Sequence, residues 1–136
     1  FALSLLLTCR RVYSEAIEYL YTTYTFSISS IRTPHSAMVY LPMAMLPQRL
    51  RQIRELHLTL GYEYDVFTTA FQEKWHKTWS LINQMEGLKH LTLEIHAEER
   101  TDEKGEYFYD KRNGFLEHIK EVTGPETFVL TLPHWQ

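Results

Sequence analysis

Three short runs of this chain alternate apolar and polar residues with a period of two. They are Leu56-His57-Leu58-Thr59-Leu60, His90-Leu91-Thr92-Leu93-Glu94-Ile95-His96 and Thr127-Phe128-Val129-Leu130-Thr131-Leu132. Successive side chains of a strand point to opposite faces, so each run is expected as a strand with one buried and one wetted face. The apolar set is Leu56, Leu58, Leu60, Leu91, Leu93, Ile95, Phe128, Leu130 and Leu132. His57, Thr59, Thr92, Glu94, Thr127, Val129 and Thr131 fall on the other face. A β-branched and aromatic run, Thr22 to Ile28, reads as a further strand ahead of these three.

Each strand is preceded by a segment of helical period. Leu5, Leu6, Cys9, Val12, Tyr13, Ala16, Ile17 and Leu20 recur at steps of three and four, with Ser4 as a fair N-cap and Arg11 and Glu15 on the opposite side. Thr33-Pro34 signals a second helical region, which Pro42 and Pro47 are expected to break into short pieces before Gln52. A long helix is expected from about Asp65 to Glu86, with Phe67, Phe71, Trp75, Ile82 and Met85 inward, Trp79 beside them and Gly87 as the stop. Glu98 to Glu106 is a polar run with charges of both signs, expected as a loop. A last helix is expected over Asp110 to Val122, before Gly124-Pro125 turns the chain into the final strand.

Helix–strand units of roughly 30 to 37 residues predict an α/β domain with neighbouring parallel strands. Parallel strands covered on both faces read as continuous apolar runs, whereas these alternate. The expectation is therefore a short, leucine-rich-repeat-like stack of about four units. Its helices lie on one face of the sheet and its other face is open and polar. An α+β two-layer sandwich with mixed strand directions satisfies the same alternation.

Composition narrows the function classes. Hydrophobic residues make up 44% of the 136 and charged residues 23%, enough for one folded domain spanning 1–136. The net charge of −3 lacks the basic excess of a nucleic-acid binder, and Arg10–Arg11 and Arg49–Arg51–Arg54 read as solvated helix faces. The apolar opening Phe1–Leu7 is too short to span a bilayer, so neither membrane nor nucleic acid is expected as a partner. Cys9, the single cysteine, excludes an internal disulfide and fits an intracellular setting, cytoplasmic or nuclear. The first residue is Phe1 rather than Met, giving the expectation of a piece of a longer protein.

Few residues offer chemistry. His57, His90, Glu94 and His96 lie on the open face or at its ends, and His57, His90 and Glu94 are the residues on which a hydrolase or metal-dependent enzyme would be built. A zinc site needs three or four convergent ligands, and neither a Cys pair nor a His-x₃-His spacing is present. The carboxylates Glu98, Glu99, Asp102, Glu103 and Glu106 surround Lys104-Gly105, a poor frame for acid–base work. The five glycines are scattered singly, without a phosphate loop or a nucleophile elbow. Tyr and Trp favour recognition surfaces. Most aromatic residues here fall on the apolar stripes, while Tyr62, Tyr64, Tyr107 and Tyr109 fall in expected loops.

Two stretches carry a family resemblance. Leu5-Leu6-Leu7-Thr8-Cys9-Arg10-Arg11-Val12-Tyr13-Ser14-Glu15-Ala16, followed by Leu20-Tyr21-Thr22-Thr23-Tyr24-Thr25-Phe26, resembles an "L-L-x-T-C-R-x-[IV]-Y-x-E-A…L-Y-x-x-N-x-F" motif of a large group of ascomycete proteins. Leu46-Pro47-Gln48-Arg49-Leu50-Arg51-Gln52-Ile53-Arg54-Glu55-Leu56-His57-Leu58 resembles their "L-P-x-x-L-x-x-I-R-x-L-x-L". Tyr24 stands where the motif has Asn. The resemblance implies an F-box-like, leucine-rich-repeat-like fungal protein of largely unassigned function, in which such a part holds a target for ubiquitin transfer. The "L-P-x-E-[IL]-R-x-x-I" helix that would engage a ubiquitin-ligase adaptor is absent from these 136 residues, so that partner is expected through a segment outside them. Arg10 is expected to satisfy carbonyl groups at a sheet end.

The leading expectation is a non-enzymatic protein–protein interaction module without a cofactor or a metal. Its partner surface is placed at His57, Thr59, Thr92, Glu94 and Thr131, with Tyr62 and Tyr64 adjoining. The enzyme on His57, His90 and Glu94, and a purely structural segment of a longer solenoid, are the alternatives.

Overall fold

A computed structural model describes residues 10–30, 36–62, 69–97, 117 and 119–132. Its elements are α1 (Arg10–Thr23), β1 (Thr25–Ser30), α2 (Ser36–Ala44), α3 (Pro47–Gln52), β2 (Glu55–Tyr62), α4 (Thr69–Gln84), β3 (His90–Ala97) and β4 (Thr127–Thr131). The strands form one sheet in the order β1-β2-β3-β4, and every pairing is parallel. The α/β architecture expected from the alternation is the one observed, and the mixed-direction sandwich is excluded. The aligned strand starts Thr25, Glu55, His90 and Thr127 stand about 30, 35 and 37 residues apart.

One apolar cluster holds the sheet to its helices. Leu56, Leu58, Leu60, Leu91, Leu93 and Ile95 are at most 2% exposed, and pack with Met38, Leu50, Ile53, Trp75, Trp79, Leu81, Ile82, Met85 and Leu88. Among the described residues, the buried apolar side chains of the helices therefore lie on the leucine side of the sheet. Trp75 and Trp79, one turn apart on α4, meet edge to face at 5.1 Å. Six strand side chains at roughly 1.5–3 kcal/mol each make this the dominant stabilising contact of the sheet.

Carbonyls in the connecting turns set the strand starts. The Arg54 carbonyl accepts from the amides of Lys89 (2.8 Å) and His90 (3.0 Å), and the Lys89 carbonyl accepts from Thr127 (3.0 Å). Arg54 Nη1 also donates to the Gly87 carbonyl at 2.8 Å. A side chain at position 87 would overlap the Arg54 guanidinium and the Arg51 carbonyl, so Gly87 is required here for close approach. An arginine does satisfy a carbonyl at the end of the sheet, but it is Arg54, whereas Arg10 is exposed on α1.

Several boundaries differ from the sequence expectation. Thr22 and Thr23 belong to α1 rather than to the first strand, and the Thr22 hydroxyl donates to the Glu18 carbonyl at 2.8 Å. That back-bond lets a β-branched residue finish a helix. Pro42 sits inside α2 and does not break it. Its cost of about 3 kcal/mol is offset by burial of Met38 and partial burial of Leu41 and Met45. β2 runs on past the Leu56–Leu60 alternation through Gly61, which pairs with His96. Tyr13, placed on the buried stripe of α1, is exposed, and Tyr19 and Tyr24 are exposed with it; no residue of α1 is fully buried. Phe67, the 98–106 run and Cys9 lie outside the described residues. So does most of the expected last helix, although Glu117, Ile119 and Lys120 are helical and Ile119 is buried.

Candidate functional site

The parallel register stacks the polar face into rows across the strands. One row is Thr25, Glu55, His90 and Thr127; the next is Ser27, His57, Thr92 and Val129; a third is Ser29, Thr59, Glu94 and Thr131. Gly61 and His96 begin a fourth. His57, Thr59, Thr92 and Glu94 are half-buried by their neighbours, while His90, His96, Thr127, Val129 and Thr131 are exposed. Five of the seven residues assigned from sequence to a partner surface thus share one continuous open face. Tyr62 is the last residue of β2, with its side chain outside the described set, and Tyr64 lies outside it altogether.

Glu94 is the centre of the polar contacts. Its Oε1 lies 3.2 Å from His57 Nε2, across the β2–β3 pair, and its Oε2 lies 3.4 Å from His96 Nε2 on the same strand. The His57 Nε2 atom is covered and sits off the line that a straight hydrogen bond to Glu94 would need. The contact is therefore chiefly electrostatic. Near the start of the strands the Thr25 hydroxyl donates to Glu55 Oε2 at 2.7 Å. At the rim, Lys89 and Glu126 approach to 4.0 Å.

The expected trio of His57, His90 and Glu94 does not assemble. His57 and Glu94 meet, but His90 is four residues from Glu94 along β3, about 13 Å at strand rise. His96, two residues from Glu94, takes its place, because only a step of two returns to the same face as a near neighbour. Among the described residues no group of three or more His, Cys, Asp or Glu is placed to hold a metal ion. No helix among them is long and apolar enough to cross a membrane. Glu55 was not among the residues singled out from sequence. Its position one residue before Leu56, on the polar side of the alternation, was the available signal.

The chain's matches to known proteins are few. Residues 1–136 match a family model described as a domain of unknown function, DUF7730. No curated protein and no solved structure matches the chain.

Proposed function

For a chain that belongs to the DUF7730 family, a domain of unknown function, we propose a non-enzymatic protein–protein interaction module that holds its partner on the open face of the sheet. One observation carries this reading. A parallel sheet is normally covered on both faces, yet here the rows around His57, Thr59, Thr92, Glu94 and Thr131 stay open on a continuous polar surface. Among the described residues, the buried apolar side chains of the helices pack on the leucine side. Sequential parallel strands with helices on one side support a leucine-rich-repeat-like stack. The resemblance to F-box-like ascomycete proteins supports a setting in which this face receives a substrate for ubiquitin transfer.

The test is capture of a partner by the full-length protein, identified by mass spectrometry, with and without the triple change His57→Ala, Thr92→Ala, Glu94→Ala. Loss of a stoichiometric partner from a variant that melts like the parent is the expected result. Retention of that partner would move the binding surface elsewhere. The enzyme alternative has a cheap check in the metal content of purified protein.

A structural segment of a longer stack is the second reading. It is favoured by β1 and β4, each of which pairs on one side only among the described strands. Outer strands with a free edge pair readily with another chain. Concentration-dependent self-association in sedimentation would support it, and a monomer throughout would set it aside.

A further inference from the structure

The open face has a one-sided charge. Its fourteen positions are Thr25, Ser27 and Ser29 on β1; Glu55, His57, Thr59 and Gly61 on β2; His90, Thr92, Glu94 and His96 on β3; and Thr127, Val129 and Thr131 on β4. None is Lys or Arg. The only fixed charges are the carboxylates of Glu55 and Glu94, set among hydroxyl groups and three imidazoles. At the rim, Lys89 stands beside Glu126. Among the described positions of the face the fixed charge is negative only, although seven Lys, Arg or His residues occur elsewhere within α1, α3 and α4.

We propose that the face receives an extended, basic segment of a partner protein, with arginine or lysine side chains set against Glu55 and Glu94. This rests on the interaction-module reading and adds to it the partner's chemistry. Glu55 and Glu94 lie on neighbouring strands, two rows apart, roughly 14 Å from one another by strand rise and strand spacing. That separation is spanned by residues four apart in an extended chain. The Glu94 side chain is 35% exposed, open enough to accept a guanidinium above the two imidazoles that flank it. Hydroxyl groups at Thr25, Ser27, Thr59, Thr92 and Thr131 offer neutral hydrogen-bonding positions between the two charges. A helix, whose residues four apart advance only about 6 Å, would not reach both carboxylates from one turn.

The probes are two short fluorescent peptides, alternating Arg-Ser and alternating Glu-Ser, followed by anisotropy at low salt. The Arg-Ser peptide is expected to bind the intact protein. The Glu-Ser peptide should bind less well. The double change Glu55→Gln, Glu94→Gln should weaken Arg-Ser binding about tenfold, whereas Glu86→Gln, an exposed carboxylate off this face, should leave it unchanged. Absence of Arg-Ser binding, or equal binding by the parent and the double variant, overturns the charge inference. A Thr92→Trp block then separates the two claims. If it abolishes capture of the natural partner, the face is still the binding surface and only the partner's charge was wrong. If capture is untouched, both fall.

Discussion

On one side of the sheet Leu56, Leu58, Leu60, Leu91, Leu93 and Ile95 are at most 2% exposed. One residue along the same strands, His57, Thr59, Thr92 and Glu94 remain partly open to water. The backbone hydrogen bonds serve both faces equally, so the difference lies in side chains alone. Burial of the leucine face against α2, α3 and α4 holds the fold, and the register then carries the polar residues into place without their own contacts having to be strong. The two faces can therefore be damaged separately, which is how the comparison is tested.

The largest expected effect comes from putting a charge on each face in turn. Leu93 is fully buried at the centre of the apolar cluster, and Thr92 is its neighbour on the open side. Leu93→Asp strands a carboxylate without a partner and should prevent folding, because burying an unpaired ion exceeds a typical net stability of about 5–15 kcal/mol. Thr92→Asp should fold and melt within a few degrees of the parent. Soluble yield and circular-dichroism melting distinguish them, and equal behaviour of the pair would abolish the distinction between faces.

A smaller effect sharpens the comparison within the leucine face. Leu58 on a central strand is fully buried, whereas Leu130 on the outer strand β4 is only half-buried. Leu58→Ala should cost about 2–5 kcal/mol in denaturant unfolding, and Leu130→Ala roughly half as much. Equal losses would mean that β4 is covered as well as the central strands are.

Gly87 tests whether the turns, and not the faces alone, fix the register. Gly87→Ala is expected to cost about 1–3 kcal/mol, since its methyl group meets Arg54 and the Arg51 carbonyl. Arg54→Ala relieves the flexible half of that clash but leaves the backbone half. The double variant should therefore remain less stable than Arg54→Ala alone. Recovery to the level of Arg54→Ala would show that the side chain was the whole obstacle.

Period-two alternation made the sheet legible because each strand is wetted on one side, and a slip of one residue would exchange Leu93 with Glu94. The parallel direction followed from helix-length connections between strands. Less was legible where local preference was overruled by neighbours. Thr22 and Thr23 look like strand residues and finish a helix, and Pro42 looks like a break and is carried through by the burial around it. Within the site, the shared open face of His57, Thr92 and Glu94 could be inferred from alternation. The choice of His96 over His90 as the second ring beside Glu94 could not, because it depends on side-chain reach across about 7 Å rather than 13 Å of strand. The Arg54–Gly87 contact spans 33 positions of sequence and has no local signal at all.

The smallest expected effect lies on the open face itself. The Thr25 hydroxyl donates to Glu55 Oε2 at 2.7 Å, joining β1 to β2 on their polar side. Thr25→Val keeps the β-branched shape that suits a strand and removes only the donor. Both groups reach water, so the lost hydrogen bond should cost about 0.5 kcal/mol or less in a denaturant midpoint. A loss above about 1.5 kcal/mol would show that the polar face helps to hold the sheet, and the division of labour between the faces would fail. The same change frees a Glu55 oxygen, so the Arg-Ser peptide should bind the variant at least as tightly as the parent. Stability and binding would then move in opposite directions from one hydroxyl group, as expected of a surface kept polar for a partner rather than for the fold.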